Sequence, residues 1–207
     1  MISAIILAAG KSTRMGKPKM LLPWSGGTVL GRVISVFGNA GMEDILAIAG
    51  AEREGIERLV HELSGRFPVR SVFNPEYDTG EMLSSIQCGL RDVMDKSFGA
   101  VMIGLGDQPQ VEERSVRQIR EACEQTGHPL IVPSFQMRRG HPWLVGREFW
   151  EEILHMKAPQ TPRDFLNRHE KKIQYVVTDN ASILADLDTP DEYSKALAGK
   201  YTKNDGN

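Results

Sequence analysis

The sequence predicts an α/β fold of three layers, with helices covering both faces of a mainly parallel sheet. Short apolar runs recur along the chain with segments of helical length between them, the alternation that builds a parallel sheet from crossover units. The strongest runs, Ile2–Leu7 and Ala100–Leu105, are almost wholly apolar, as strands buried on both faces require. The 207 residues contain no internal repeat, low-complexity stretch or interdomain linker, so one domain over 1–198 is expected, followed by a polar tail over 199–207 expected to be disordered.

Taken in order, strands are expected at Ile2–Leu7, Ile45–Ala49, Val69–Phe73, Ala100–Leu105, Leu130–Val132 and Ile173–Val177. Helices are expected at Thr28–Asn39, Glu52–Ser64, Ser84–Asp95, Glu112–Thr126, Arg147–His155, Arg163–Arg168 and Thr189–Ala198. The last has the clearest start, because Thr189 precedes Pro190 and two acids fill the first turn, the chemistry of an N-cap followed by proline at the first helical position. Between Phe135 and Val145 the alternation breaks, and that segment is read as an irregular loop or hairpin beside the site.

Composition excludes several classes. A formal net charge of −2 argues against a nucleic-acid binder, which needs a basic face for phosphates. No apolar run approaches the roughly 18–20 residues that span a bilayer, so no membrane partner is expected. Cys88 and Cys123 stand apart in no metal or redox spacing, which suits a reducing cytoplasm and a packing role. No secretory leader is read before the first strand.

Positive charge is concentrated instead in one loop. After Ile2–Leu7 come Ala8, Ala9 and Gly10, small residues that let a ligand approach the backbone, and then Lys11, Ser12, Thr13, Arg14, Gly16, Lys17 and Lys19, with no acid among them. Amides, hydroxyls and cations in one loop are what a polyphosphate requires. The spacing from Gly10 to Gly16 is one residue too long for a Walker A loop, Pro18 stands where Ser or Thr should follow Lys17, and no GxGxxG is present, so both familiar phosphate motifs fail. A surface turn with a chance basic cluster is the alternative.

Two acidic positions could serve the same crevice. Asp107, in Gly104-Leu105-Gly106-Asp107-Gln108-Pro109, follows a buried strand and could hold Mg2+ against phosphate oxygens; the alternative is a cap on the next helix. Glycines 104 and 106 are read as allowing close backbone approach. Asp188, in Asp186-Leu187-Asp188-Thr189-Pro190, could bind the same metal, or Asp186 or Asp188 could cap the last helix. His141 beside Arg138 and Arg139 is read either as an acceptor contact or as a histidine held in a turn by Pro142. Arg163 and Asp164 are read as a solvated face, and Met15, Met20 and Met82 as packing around the site.

The phrase LAAGKSTRMGKPKMLLP, Leu7 to Pro23, resembles the LxxGxSxRMGxxK signature of the MobA-like NTP transferase family, and GDQP is similar to that family's acidic strand end. SSIQCGL, GHP and DLDTPDEY look like the branch that contains the molybdenum cofactor cytidylyltransferases. The resemblance runs from Met1 to about Tyr193. It implies a three-layer αβα, Rossmann-like nucleotidyltransferase fold, and an enzyme in which Gly10–Gly16 wraps a triphosphate. It further implies Lys19 near the α-phosphate, Arg14 at the β- and γ-phosphates, Asp107 and Asp188 as Mg2+ ligands, and Gly80, Ser84 and Ser85 near base and ribose.

Ala9 is similar to the cytidylyl branch, whereas the guanylyl branch has a second glycine there, so CTP is favoured over GTP. Glu81, standing between Gly80 and Met82, departs from the family pattern and bears on the base pocket. The implied reaction is attack by a terminal phosphate oxygen of molybdopterin, or the molybdenum cofactor, on the α-phosphorus of CTP with release of pyrophosphate. An acceptor molybdoenzyme or its chaperone is an implied partner. Guanylyl transfer to the same pterin, nucleotidyl transfer to another small phosphorylated acceptor, and a non-catalytic binding or delivery protein are the other readings.

Overall fold

The computed structural model describes residues 1–204, with side chains to 199. Its chain order is β1 (Ile2–Leu7), β2 (Pro23–Trp24), β3 (Gly27–Thr28), α1 (Val29–Asn39), β4 (Ile45–Ala49), α2 (Arg53–Ser64), β5 (Val69–Phe73), α3 (Glu81–Val93), β6 (Ala100–Leu105) and α4 (Glu113–Thr126), continuing through β7 (Leu130–Phe135), β8 (Arg138–Arg139), β9 (Trp143–Gly146), α5 (Trp150–His155), α6 (Pro162–Arg168), β10 (Gln174–Val177) and α7 (Pro190–Asn204). Short 3-10 turns, among them Lys19–Leu21 and Ala181–Leu184, link several of these.

The main sheet runs β10-β7-β9-β6-β1-β4-β5, with β8 paired to β7. β1 is parallel to both β4 and β6, β4 to β5, and β10 to β7, while β9 is antiparallel to both its neighbours. The expected mainly parallel α/β sheet is therefore present. Side-chain alternation along β1 divides the core: Ala4, Ile6 and Ala8 face a layer containing α1, α2 and α4, and Ile5, Leu7 and Ala9 face a layer containing α3, α5 and α6. Each central strand is buried on both sides, which is why these runs read as continuous apolar sequence.

Three local expectations change. The segment Phe135 to Val145 is a hairpin plus a true strand: β7 runs on to Phe135, Gln136 and Met137 turn with φ of 48° and 63°, and Trp143–Gly146 enters the sheet as β9. Four residues are too few to show a strand period, and β9 is held by its partners β6 and β7. The Arg147–His155 helix divides into a 3-10 turn over Arg147–Phe149 followed by α5. The last helix runs past Ala198 to Asn204, so the expected tail over 199–207 falls partly within α7, and its last three positions lie outside the described residues.

The chain leaves β1 for β4 and β5 on one side, then returns to place β6 on the other. The loops after β1 and β6 thus face each other where the strand order reverses, the crevice in which open α/β sheets bind ligands. A third cluster of Trp24, Val29 and Leu187, with Leu22, Tyr193, Ala196 and Leu197 against it, docks α7 onto the β2–β3 hairpin. That docking carries Asp188 toward the crevice. No helix among the described residues is long and apolar enough to cross a membrane.

Candidate active site

The loop after β1 is anchored at both ends. Ala8 N–H donates to Ile48 O at 3.1 Å, and Ala51 N–H to Ala9 O at 3.2 Å. A Cβ on Gly50 would lie 2.3 Å from Ala9 O, so the close approach of these loops depends on glycine there. Ser12, at φ 53°, closes the turn: its carbonyl accepts from Met15 and Gly16, and its hydroxyl oxygen accepts Lys19 N–H at 3.2 Å. Lys19 opens the Lys19–Leu21 turn, whose middle residue, Met20, is buried in the core. Met15 is buried likewise, whereas Met82 is partly exposed. Lys11 reaches across the crevice to form an ion pair with Asp78.

After β6, Gly106 N–H donates to Leu7 O at 2.9 Å, which ties the two loops together. Asp107 follows. It caps no helix, because α4 starts at Glu113 with Glu112 at its N-cap. The glycine at 104 serves packing rather than ligand approach: a Cβ there would lie 2.6 Å from the Phe37 ring.

Lys19, Asp107, Asp188 and Arg14 converge. Lys19 Nζ lies 2.5 Å from Asp107 Oδ2 and 3.0 Å from Asp188 Oδ1, and Arg14 Nη2 lies 2.9 Å from Asp188 Oδ2. The Lys19 side chain is 11% exposed and that of Arg14 70%. Burial works against the Lys19 charge, but Asp107 and Asp188 outweigh it and raise its pKa. Partial burial likewise opposes the Asp188 charge, and Lys19 and Arg14 more than reverse it, lowering its pKa.

Cap duty in this region falls to Thr189, whose hydroxyl accepts Glu192 N–H while the Glu192 carboxylate accepts Thr189 N–H. Asp188 is thereby left free to face Lys19. Asp186 turns aside and accepts from Gln108 Nε2 at 2.5 Å; burial, reinforced by Asp107 and Asp188, raises its pKa.

Asp107 and Asp188 are hard oxygen donors brought together at one ammonium group, a donor set that fits Mg2+, which takes one or two carboxylates and completes its shell with water and phosphate. No group of three or more His, Cys, Asp or Glu able to hold a metal occurs among the described residues, so an all-protein cage is not the fitting arrangement.

The other expected residues divide. Gly80 sits at the N-cap of α3, where a Cβ would collide with Ser84. Ser84 and Ser85 are buried, and their hydroxyls accept from Asn74 Nδ2 at 2.9 and 3.1 Å. They brace the β5–α3 connection instead of standing open in the crevice. Sequence reasoning missed Asn74; its one local signal was the Asn-Pro pair ending β5. Glu81 opens α3 at φ 49°, a left-handed conformation rare for such a residue.

His141 N–H donates to Ile183 O at 3.0 Å, and the same carbonyl accepts from Gln108 Nε2 at 3.5 Å. The GHP turn is thus linked to the Asp107 turn, and burial pushes the His141 pKa down to about 4, leaving a neutral imidazole at neutral pH. Arg138 is exposed on β8, opposite Phe135. Arg139 is held by Tyr175, Asn167 and Glu170. Arg163 is exposed, and Asp164 forms a capping box with Thr161. A separate cavity of about 540 Å³ lies at the opposite, amino-terminal edge of the sheet, around Met1, Arg120, Cys123 and Arg147.

The family model of the MobA-like NTP transferase domain matches residues 4–173. The chain belongs to this family. Like the family, it is a nucleotidyltransferase with a Rossmann-like sheet. Among relatives of the MobA-like chain, a molybdenum cofactor cytidylyltransferase from Escherichia coli (strain K12) is 29% identical over 98% of both chains. The crystal structure of Rv0371c from Mycobacterium tuberculosis H37Rv superposes with a TM-score of 0.80 at 26% identity, covering 95% of this chain and 97% of that one. A complex of Rv0371c with manganese superposes with a TM-score of 0.77 at 25% identity, covering 95% and 98%.

Proposed function

We propose that the protein transfers CMP from CTP to the terminal phosphate of molybdopterin, or of the molybdenum cofactor, with release of pyrophosphate. The observation that carries nucleotidyl transfer here is the convergence of Lys19 and Arg14 on Asp107 and Asp188 at the carboxyl edge of β1 and β6. Support for the cytidylyl choice comes from Ala9, packed against Gly50, and from the name of the Escherichia coli relative, matched over 98% of both chains.

The acceptor phosphate is already ionised near neutrality, so no covalent nucleophile is needed. Catalysis by this chain is alignment and charge neutralisation. The loop from Gly10 to Gly16 supplies amides to the triphosphate. Lys19 neutralises charge near the α-phosphate, and Arg14, more exposed, reaches the β- and γ-phosphates that leave. Asp107 and Asp188 would hold Mg2+, which supplies charge neutralisation at the phosphate oxygens. His141, neutral, contributes a hydrogen bond on the acceptor side, with Arg138 a nearby cation for the acceptor phosphate. A cytoplasmic location, and delivery of the product to a molybdoenzyme or its chaperone, belong to the same proposal.

The deciding experiment is pyrophosphate release with molybdopterin and each of CTP, GTP, ATP and UTP, with and without molybdate and Mg2+. CTP-dependent release is expected. Lys19→Ala and Asp107→Ala should each lower the rate by about 10²-fold or more, the scale of losing one charge-stabilising group, while circular dichroism stays native. Release with GTP alone would replace the cytidylyl assignment by a guanylyl one, and full activity in either variant would remove the site assignment.

A further inference from the structure

We propose that Lys19 is a placeholder for the divalent cation: its ammonium occupies the carboxylate oxygens of Asp107 and Asp188, and a metal ion binds there only when the triphosphate draws Lys19 away. The inference rests on the nucleotidyl-transfer reading and adds an order of events to it.

The geometry leaves little room for both occupants. Lys19 Nζ is 2.5 Å from Asp107 Oδ2 and 3.0 Å from Asp188 Oδ1, while Arg14 takes the other Asp188 oxygen at 2.9 Å. Three carboxylate oxygens are thereby engaged by protein cations. A magnesium ion needs oxygens at about 2.0–2.1 Å, which places a double charge within van der Waals reach of an ammonium group in a site shielded from water. The third carboxylate is no alternative, because Asp186 is turned to Gln108 at 2.5 Å.

Lys19 can change partner without refolding the loop. Its backbone is pinned by the Ser12 hydroxyl and by buried Met20, so only its flexible stem must move. Arg14 is mostly exposed and gives way at little cost, whereas Lys19 is largely withdrawn from solvent beside its partners, 11% exposed, and needs a replacement anion. The phosphates of the nucleotide are that anion. Nucleotide and metal therefore help each other through exchange of one side chain, and linkage makes the help reciprocal.

The test is the affinity of the full-length protein for Mn2+ alone, read by electron paramagnetic resonance of the free ion without nucleotide. Lys19→Met is expected to bind Mn2+ more tightly than wild type, by roughly 5- to 150-fold, the usual span for coupled sites. Arg14→Met should tighten it by less than Lys19→Met does. Adding Asp107→Ala to Lys19→Met should abolish the gain. Lys19→Gln, which removes the charge but keeps a polar chain, is the second variant should Lys19→Met lose its native circular dichroism. Equal Mn2+ affinity in wild type and the charge-free variants would overturn the placeholder role. If wild type still releases pyrophosphate from a nucleotide in that case, the transferase reading stands without it; if no nucleotide yields pyrophosphate, both fall.

Discussion

At Gly10 no atom lies within 4 Å of where a Cβ would stand. The protein itself would accept alanine there, so a need for glycine at this position comes from what binds. Gly10→Ala should leave the melting temperature unchanged and weaken nucleotide binding by about tenfold or more, the effect of forcing an extra methyl into a fitted site at about 1–3 kcal/mol. Calorimetric titration with CTP beside a thermal melt checks this, and unchanged affinity would place the triphosphate elsewhere. Single residues were unevenly legible. The basic loop from Lys11 to Lys19 stands out locally because cations and glycines crowd one short segment, whereas the bonds from Asn74 to the Ser84 and Ser85 hydroxyls have no local signature.

At the scale of elements, the paired loops after β1 and β4 depend on Gly50. A Cβ there would press on Ala9 O at 2.3 Å and on the Ala9 Cα and Cβ at 2.7 Å, all parts of a buried segment. Gly50→Ala should therefore destabilise the fold by about 1–3 kcal/mol and also displace the loop after β1. A urea denaturation midpoint together with nucleotide affinity would show both effects; loss of stability with wild-type affinity would mean the loop is positioned by other contacts. Central strands were readable from sequence because burial on both faces writes an apolar run. β9 was not, since Trp143–Gly146 has neither length nor period and owes its place to pairing with β6 and β7.

For the molecule as a whole, stability should fall in mild acid through His141. Its pKa is depressed by burial from 6.5 to about 4 in the folded protein, so the unfolded chain takes up the proton first as pH drops. Stability is then complete above pH 6.5, declines between 6.5 and 4, and levels off for this group below 4. A shift of that size corresponds to a loss of about 3 kcal/mol once both states are protonated. Urea midpoints at pH 7.5, 5.5 and 4.5 should show this slope in wild type and a shallower one in His141→Asn; equal slopes would assign the loss to other groups. Asp188 and Glu152, both held low by neighbouring cations and hydrogen bonds, add to the decline only at lower pH, as carboxylates protonate.

The sequence by itself determined the α/β class, the strands of the sheet centre and the basic, glycine-bearing loop after β1, because each is encoded in neighbouring residues through burial, glycine placement and local charge. Only the tertiary structure decided which acids join that loop. Asp188 meets Lys19 across 169 positions, brought there by α7 packing on Trp24 and by the Leu187 amide bonded to Asp107 O. Taken alone in the sequence, Asp188 reads first as a helix cap. Partner choice for a charged side chain is set by which surfaces pack together, and no local pattern records that.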